Sequence, residues 1–452
     1  MAILQKMKVN KERLKELAKQ CMGFEPFPYQ LDFISDCFEH KYILACWSRQ
    51  IGKSTCTALF ACLAAVLNPD ITIIIISKSE RQSKEIYIKV LDFLHRVPEF
   101  RKGLKQESME QTILANRSRI LNLPCSFEGQ SLRGYAAEIC IIDEAQFIPD
   151  QVVDEVISPF VATKKDFKFI KLSTPQGKQG HFYRSFLDKD YHVHNYSYVE
   201  GVRNGLITRE FIDKKRMEMD SLSFAQEYEA LFIEEASSYF GSELINNNVQ
   251  DYPLLSEVSN VESGTFYAGY DVGRFGMDKS VLIVVQRKKE ENRIVFIGSI
   301  DKASLDTQLD YIKRMDKLFH FKKIVLDESA VGGGLTDFLI KEFNTSLIKK
   351  VEGLTFTNKS KKDIYSNLRT LLENRQLILP RHPELISQLK DLQYEYSDSG
   401  NLKIFHPPNK HDDYPDALAL AVKYVKDKES AWFFVNNDRL DESYGNVDYT
   451  SW

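Results

Sequence analysis

The chain has 452 residues, a formal net charge of −4, and 43% hydrophobic and 27% charged residues. A single core rarely reaches this length, so we expect two or three domains of an ordinary soluble protein. The slightly acidic balance excludes a globally cationic surface, so nucleic-acid contacts must come from local basic patches. The seven cysteines contain no C-x-x-C pair, which indicates neither a disulfide framework nor a zinc site and suits a reducing cytoplasm.

Strands and helices alternate through the first half of the chain. The predicted strands span residues 42–46, 71–76, 138–142 and 167–172, the helices span 55–67 and 79–98, and a hairpin covers 112–123. The run at 71–76 is the most apolar of these segments and is far too short to cross a bilayer. The alternation predicts a mostly parallel, doubly wound α/β sheet with ligands at the carboxyl ends of its strands.

A phosphate-binding loop is predicted between the first strand and the first helix of this sheet. In the pattern G-x-x-x-x-G-K-[ST], backbone N–H groups cradle phosphates, while Lys reaches the β/γ-phosphates and Ser/Thr holds Mg²⁺. Here Trp47 stands where the first Gly belongs, and a chance Gly-Lys-Ser is the alternative interpretation. The predicted ATP-binding residues are Ser48, Arg49, Gln50, Ile51, Gly52, Lys53, Ser54 and Thr55.

Three further residues fit a nucleotide hydrolase. The acidic strand end at 138–144 offers Asp143 to organise Mg²⁺ and Glu144 as the general base that polarises water. Thr174, in Ser-Thr-Pro-Gln-Gly after the next strand, is predicted to sense the γ-phosphate and couple hydrolysis to movement. The alternative for Asp143 and Glu144 is that acidic residues are simply favoured at a helix start. The alternative for Thr174 is an ordinary Thr-Pro turn.

A glutamine and two arginines complete the predicted ATPase site. Gln30, in Phe-Pro-Tyr-Gln ahead of the loop, either reads an adenine edge or is a solvated residue at a helix start. Arg49 in cis, or Arg133 acting on a neighbouring subunit, is predicted to stabilise charge on the transferring phosphoryl group. A surface position or a DNA-phosphate contact is the alternative for either arginine.

The second half of the chain has the element order of a ribonuclease H-like fold. Three strands are predicted at 266–270, 280–286 and 293–300, then a helix at 304–319, a strand at 323–326, helices at 335–343, 361–373 and 383–394, a strand at 402–405 and a helix at 414–426. We therefore divide the chain into an ATPase domain (1–233), a connector (234–263), a nuclease domain (264–427) and an acidic, aromatic tail (428–452).

Four aspartates form the predicted metal site of the second domain: Asp271, Asp327, Asp413 and Asp416. The first and fourth strands of such a sheet are adjacent, and the last helix lies across them. Clustered carboxylates would bind two Mg²⁺ or Mn²⁺ ions that activate water for phosphodiester cleavage. Helix capping is the alternative. Weaker candidates are Asp278, Asp412, Glu328 and His411, and the basic helix start at 359–362 is expected to face solvent or to contact DNA phosphates.

These motifs resemble the large terminase subunit of tailed bacteriophages, over nearly the whole chain. The residues that carry the resemblance are Ser-Arg-Gln-Ile-Gly-Lys-Ser at 48–54, Ser-Leu-Arg-Gly at 131–134, Ile-Asp-Glu-Ala at 142–145, Ser-Thr-Pro-Gln-Gly at 173–177 and Asp-Tyr-Pro-Asp-Ala-Leu at 413–418. In that family the loop commonly lacks its first Gly and carries Arg. Two departures are Asp327, where some relatives carry Glu, and the doublet Asp412-Asp413, which leaves the third acidic position open by one residue.

The resemblance implies a P-loop (ASCE/RecA-like) ATPase domain followed by a ribonuclease H-like nuclease domain. It implies ATP-driven translocation of double-stranded DNA into a prohead and cleavage of concatemeric DNA in the host cytoplasm. The implied partners are a portal protein, a small terminase subunit and further copies of the chain in a ring, a pentamer, with no membrane. The alternatives are a DNA helicase or translocase whose second domain does not cut DNA, and a nucleotide-gated assembly protein.

Overall fold

A computed structural model of the chain describes residues 10–125, 132, 134–162, 164–233, 238–259, 261, 263–273, 279–288, 291–329, 334–397, 402–408 and 410–426. Three of the sequence predictions lie outside these residues: those for Arg133, Asp278 and the tail at 428–452.

The first part of the chain builds a sheet surrounded by helices. Its strands are β1 (Tyr42–Trp47), β2 (Thr72–Ser77), β3 (Leu104–Glu107), β4 (Gln111–Leu114), β5 (Arg119–Pro124), β6 (Ile139–Asp143), β7 (Lys168–Ser173) and β8 (Tyr191–Tyr196). Its helices are α1 (Lys11–Met22), α2 (Pro28–Glu39), α3 (Lys53–Leu67), α4 (Glu80–Arg96), α5 (Pro98–Lys102), α6 (Asp150–Val152), α7 (Pro159–Ala162), α8 (Gly180–Leu187), α9 (Tyr198–Arg203), α10 (Arg209–Glu218) and α11 (Ser221–Glu227).

This sheet has eight strands in the order β3-β4-β5-β2-β6-β7-β1-β8. The strands from β5 to β8 in that order are parallel, and β3 and β4 extend the sheet as antiparallel strands. Alternate residues of β2 enter opposite cores, with Ile73 and Ile75 on one face and Ile74 and Ile76 on the other. Burial on both faces explains the unbroken apolar run of this strand and confirms the predicted doubly wound sheet.

The second part of the chain builds another sheet. Its strands are β9 (Val249–Gln250), β10 (Thr265–Asp271), β11 (Lys279–Arg287), β12 (Asn292–Asp301), β13 (Lys323–Asp327), β14 (Val351–Leu354) and β15 (Leu377–Pro380), followed by a separate hairpin of β16 (Gln393–Tyr396) and β17 (Leu402–Phe405). Its helices are α12 (Ser242–Asn246), α13 (Leu305–Phe319), α14 (Gly334–Phe343), α15 (Asn358–Glu373), α16 (Pro383–Asp391) and α17 (Asp413–Ala421).

The second sheet has the order β14-β13-β10-β11-β12-β15-β9, and β10 is parallel to β13 and antiparallel to β11. The first and fourth predicted strands are therefore adjacent, as expected. Helix α17 crosses β10 closely at Gly269, where an added Cβ would lie 2.0 Å from the Ala417 carbonyl oxygen. Only glycine permits this approach, which brings the start of α17 to the ends of β10 and β13.

Some segments of the second part differ from the sequence prediction. The helix predicted to reach residue 394 ends at Asp391, because Gln393–Tyr396 pairs with β17 as an antiparallel strand. The predicted connector at 234–263 contains α12 and β9, and β9 pairs with β15 at the edge of the second sheet. Short elements of this kind carry too few residues for a periodic pattern to emerge.

The hairpin of β16 and β17 contacts the segment that follows β7. A Cβ added at Gly177 would lie 2.7 Å from the ring of Tyr396, so glycine is needed for the ring to sit there. Gln226, at the end of α11, donates a 2.8 Å hydrogen bond to the Tyr396 hydroxyl, and the Gln179 amide donates to the Tyr396 carbonyl. The first and second domains therefore meet beside the Ser-Thr-Pro-Gln-Gly segment.

Candidate functional site

The predicted phosphate loop connects β1 to the N-terminus of α3. Gly52 caps the helix in a left-handed conformation with φ of +90°, and Gln50 is also left-handed, with φ of +63°. Cys56 N–H donates to the Gly52 carbonyl as the helix begins. The loop thus leads directly into a helix N-terminus, the arrangement in which unpaired backbone N–H groups bind phosphate.

The missing first glycine is explained by the conformation of Trp47. This residue ends β1 in extended backbone, so its position does not require the freedom of glycine. Its ring is fully buried and packs against Tyr29, Phe33 and Tyr196, with ring centroids 5.4, 5.1 and 5.2 Å away. Trp47 therefore anchors the start of the loop in the core of the first domain.

Two side chains of α2 form hydrogen bonds to the phosphate loop. The Tyr29 hydroxyl and the Gln30 amide Nε2 donate to the Ile51 carbonyl at 2.6 and 3.1 Å. The Gln30 Oε1 accepts from the Phe27 N–H at 3.0 Å, and Gln30 is almost fully buried against Gly52. Both ends of this amide are thus bonded within the protein. The prediction that Gln30 reads an adenine edge stays a prediction.

Arg49 is directed toward α11 in the described structure. Its guanidinium forms a two-point ion pair with the Glu227 carboxylate, including a 2.8 Å hydrogen bond from Nη2 to Oε1. The backbone N–H of Arg49 donates to the Glu227 carbonyl at 2.9 Å. A guanidinium fork and a carboxylate match each other well in this geometry. A phosphate contact by Arg49 would compete with this ion pair.

Asp143 ends β6 and Glu144 follows it, at the carboxyl edge of the first sheet. Asp143 is buried, and its Oδ1 atom has no hydrogen-bond partner. Burial raises the pKa of Asp143 to about 7, the Lys53 ammonium lowers it, and the Glu144 carboxylate raises it further. Glu144 adopts a left-handed conformation with φ of +48°, and its carboxylate accepts a 3.4 Å bond from the Ser173 hydroxyl. A buried, unpaired carboxylate oxygen is a site for a cation.

Other polar atoms at the same edge are buried without partners. They are Ser48 Oγ after β1, Ser77 Oγ at the end of β2, Gln146 Oε1 after β6 and Gln176 Oε1 after β7. Thr174 is also buried at this edge. Native proteins rarely leave such atoms unpaired, so their concentration at one edge indicates a binding site for a polar ligand. An ATP·Mg²⁺ complex fits the donors and acceptors that these residues present.

The second domain gathers its aspartates where β10, β13 and α17 meet. Asp271 ends β10, Asp327 ends β13, and Asp413 and Asp416 lie in the first turn of α17. Burial raises the pKa of Asp271 well above its usual range, and the charges of the other three aspartates raise it further. Burial also raises the pKa values of Asp327 and Asp413, and that of Asp416 to about 7. These carboxylates thus repel one another in a poorly solvated site.

A largely buried lysine, with 17% of its side chain exposed, lies within this cluster. Lys361, in the first turn of α15, places its ammonium 2.6 Å from Asp412 Oδ2 and 3.2 Å from Asp416 Oδ2. Burial lowers the pKa of Lys361, but the carboxylates of Asp416 and Asp412 outweigh it and raise the pKa above its ordinary value. The Tyr365 hydroxyl also donates to Asp416. Lys361 therefore supplies part of the positive charge that the cluster requires.

Oxygen-only donors of this kind suit hard divalent cations such as Mg²⁺ and Mn²⁺. Within the described ranges, however, no three of these carboxylates have oxygens that all lie within 4.8 Å of one another. The Lys361 ammonium lies between two of them. Sharing a divalent ion would therefore require Lys361 and the carboxylates to rearrange their contacts.

The family of the chain follows from comparisons with known proteins. Residues 44–247 match the family "Terminase large subunit, T4likevirus-type, N-terminal", and residues 268–424 match the "Terminase RNaseH-like domain". The chain belongs to the large terminase family. The two matches coincide with the two sheets, which confirms a P-loop domain followed by a ribonuclease H-like domain.

Similar proteins come from other bacteriophages. The large terminase subunit of Thermus virus P23-45 is 24% identical in an alignment that covers 93% of this chain and 92% of the relative. A large terminase from a thermophilic bacteriophage has a TM-score of 0.60 at 12% identity, over 88% of this chain and 98% of that one. A structure of the same phage terminase in complex with ATP-gamma-S has a TM-score of 0.56 at 13% identity and the same coverage.

Sequence reasoning missed three contributors to the sites of this large terminase. The sequence assigns Lys361 to a solvated basic helix start, whereas its ammonium lies between carboxylates and is mostly shielded from solvent. Glu227 as the partner of Arg49, and Tyr396 against Gly177, depend on contacts across long stretches of chain that no local pattern records.

Among the described helices, none has both the length and the apolar content needed to cross a membrane.

Proposed function

We propose that this large terminase is the motor of viral DNA packaging. The first domain hydrolyses ATP to move double-stranded DNA into a prohead, and the second cuts concatemeric DNA with two divalent ions. The observation that carries the proposal is the presence of two separate acidic sites on one chain. One adjoins a phosphate loop, and the other lies at the junction of β10, β13 and α17.

The residues of the first domain have distinct proposed roles in ATP hydrolysis. The backbone of residues 48–55 cradles the phosphates, and Lys53 contacts the β/γ-phosphates. Ser54 or Thr55 and Asp143 hold Mg²⁺. Glu144 accepts the proton of the attacking water, and its neighbour Ser173 keeps that carboxylate oriented. The complexes of the thermophilic phage terminase with ADP and ATP-gamma-S support nucleotide binding by this fold.

The arginines stabilise the transferring phosphoryl group in this proposal. Arg49 would exchange Glu227 for a phosphate oxygen, which links the loop to α11 and, through the adjacent Gln226, to Tyr396 of the second domain. Arg133 would act from a neighbouring subunit. Thr174, between β7 and the Gly177–Tyr396 contact, would relay the state of the γ-phosphate to the second domain.

In the second domain, Asp271, Asp327 and Asp413 or Asp416 would hold two Mg²⁺ or Mn²⁺ ions. Bound cations would relieve the repulsion that raises the carboxyl pKa values, and they would lower the pKa of water for attack on a phosphodiester. Lys361 would keep Asp412 and Asp416 in place before the ions arrive.

The proposed partners follow from the terminase family. They are double-stranded DNA, a portal protein, a small terminase subunit and further copies of the chain in a ring, a pentamer, in the host cytoplasm. The Gly177–Tyr396 contact gives such a ring a route from ATP turnover to the DNA-cutting domain.

The decisive experiment compares two variants of the full chain in two assays, phosphate release from ATP and nicking of plasmid DNA with Mn²⁺. Glu144→Gln should lower ATP turnover by about 10²–10⁴-fold and leave nicking unchanged, since only a general base is removed. Asp271→Asn should lower nicking by more than about 100-fold, because even an outer-shell partner of a metal is worth about 10–100-fold. Its ATP turnover should not change.

Two results would contradict the proposal. Loss of both activities in either variant would mean that the sites are not separate. An intact plasmid with the unmutated protein would favour the alternative, a translocase whose second domain binds DNA without cutting it.

A further inference from the structure

A second cluster of metal-binding side chains lies outside both acidic sites, between α2 and the edge strand β8. It consists of Asp36 on α2 and of His192 and His194, which are two residues apart and so on the same face of β8. The Nε2 atoms of His192 and His194 lie 3.0 and 3.3 Å from Asp36 Oδ2. One ligand atom from each residue lies within 4.8 Å of the other two.

His194 is the deepest member of this cluster. Its side chain is only 4% exposed, and its Nε2 atom has no hydrogen-bond partner despite its distance to Asp36. Its other ring nitrogen, Nδ1, lies 3.3 Å from the Tyr196 hydroxyl. When Nδ1–H donates to that hydroxyl, Nε2 carries a lone pair and lies beside the Asp36 carboxylate, not aligned with it as in a hydrogen bond. Two acceptors are then adjacent, and a cation bound to both would satisfy them.

We propose that Asp36, His192 and His194 bind a divalent transition-metal ion, with Zn²⁺ as the preferred ion. Bonds of about 2.0–2.1 Å at tetrahedral angles place ligand atoms about 3.3–3.4 Å apart, close to the two distances above. Two imidazoles and one carboxylate favour Zn²⁺ or Co²⁺ over Mg²⁺, which prefers oxygen ligands. Water completes the coordination, since three protein ligands leave at least one position open.

The neighbours of the cluster suit a metal site. The ring of His40 stacks on His192 with centroids 4.1 Å apart, and the ring of Phe33 lies edge-on to His194 at 5.4 Å. This packing fixes the orientation of both imidazoles, so an ion could bind them with little rearrangement.

The ion would join α2 to the edge of the first sheet. Helix α2 also carries Tyr29 and Gln30, which hold the phosphate loop by the Ile51 carbonyl. Phe33, on the same helix, contacts both the His194 ring and Trp47. The proposed metal therefore stabilises the scaffold of the ATP site without touching the nucleotide.

The test measures binding of Zn²⁺ and Co²⁺ to the full chain, stripped of metals and kept in excess Mg²⁺ to occupy the oxygen sites. The unmutated protein should bind one Zn²⁺, should melt at a higher temperature with it, and should give the visible absorption of nitrogen-ligated Co²⁺. His192→Ala should lose at least about tenfold in Zn²⁺ affinity and most of the Co²⁺ absorption.

His95→Ala is the matched control. His95 is 42% exposed, against 41% for His192, and pairs with the Glu107 carboxylate at 2.7 Å, but without a second histidine. This control should bind Zn²⁺ as the unmutated protein does. Asp36→Asn, which keeps the shape of the side chain, should weaken binding as His192→Ala does. The proposal is overturned if the unmutated protein binds no Zn²⁺, or if His192→Ala and Asp36→Asn bind it as tightly as His95→Ala.

Discussion

The two acidic centres of this terminase differ in how their negative charge is offset. At the first sheet, Asp143 lies near the Lys53 ammonium and the Glu144 carboxylate, and it keeps one oxygen unpaired. In the second domain, the ammonium groups of Lys361 and Lys279 offset only part of the charge of a larger set of carboxylates. These are Asp271, Asp327, Asp412, Asp413 and Asp416. Before a nucleotide brings Mg²⁺, the first centre has only a small surplus of negative charge. The second centre has a larger surplus. We therefore expect the second domain to depend more on cations for its stability.

The largest expected effect is that of Lys361→Met on stability. Removing one partner of a buried ion pair costs about 3–5 kcal/mol, and we expect about 3 because Asp416 can take up a proton. Urea unfolding without divalent ions should show this loss, and Mg²⁺ should restore part of it. Lys359→Met, an exposed position on the same helix, is the control and should change little. An equal loss with and without Mg²⁺ would refute the idea that cations and Lys361 serve the same carboxylates.

The next effect concerns the contact between Gly177 and Tyr396, which joins the two domains. Gly177→Ala forces a methyl group to within 2.7 Å of the Tyr396 ring and should cost about 1–3 kcal/mol of domain docking. Scanning calorimetry should then show two separated unfolding transitions. Gly241→Ala is the control, because its added Cβ meets nothing within 4 Å. One unchanged transition in Gly177→Ala would mean that this contact does not couple the domains.

The comparison also shows what sequence can predict. Strand ends and helix starts carry Asp143, Asp271, Asp327 and Asp413 in recognisable local patterns, and the sheet order then brings the last three together. Residues whose role depends on distant partners gave no such signal. Lys361 reads as part of a solvated basic run until the fold buries it against Asp412 and Asp416.

Some elements were missed for a related physical reason. Strand β8 contains two histidines and an asparagine and is only partly buried at the sheet edge, so it lacks the apolar run that marked the central strands. The short strands β14 and β15 have four residues each and are recognised only through their pairing with β13 and β12.

The pH dependence of cation binding should report the protons that the acidic centres hold, with a smaller effect. The carboxyl pKa values are raised in the folded second domain, to about 7 for Asp416, whereas the usual Asp pKa is near 3.9. Between these two pH values the folded domain therefore binds more protons than the unfolded chain. Stability from these groups is complete below the unfolded pKa and declines as pH rises through the folded pKa. Mg²⁺ should therefore stabilise the protein by roughly 1 kcal/mol more at pH 8 than at pH 5.

This gain is measured as a difference with and without Mg²⁺, which removes the contributions of histidines such as His181, whose pKa burial lowers to about 4. Asp271→Asn should reduce the gain. If Mg²⁺ stabilises the protein equally at both pH values, the aspartates do not hold the extra protons.

The smallest expected effect is the change in nucleotide preference on replacing Gln30. Gln30→Glu keeps the size of the side chain but removes the Nε2 donor to the Ile51 carbonyl, so the loop loses one support for any nucleotide. Values of kcat/KM for ATP and GTP should then fall together, and their ratio should change by less than about twofold. The reason is that both the oxygen and the nitrogen of the Gln30 amide are already hydrogen-bonded within the protein and are not available to the nucleotide base. Tyr29→Phe, which removes the other donor to the Ile51 carbonyl, is the control, and it should lower kcat/KM equally for ATP and GTP. A loss of about tenfold confined to ATP, worth about 1.4 kcal/mol, would instead establish the adenine contact and require Gln30 to leave the loop when ATP binds.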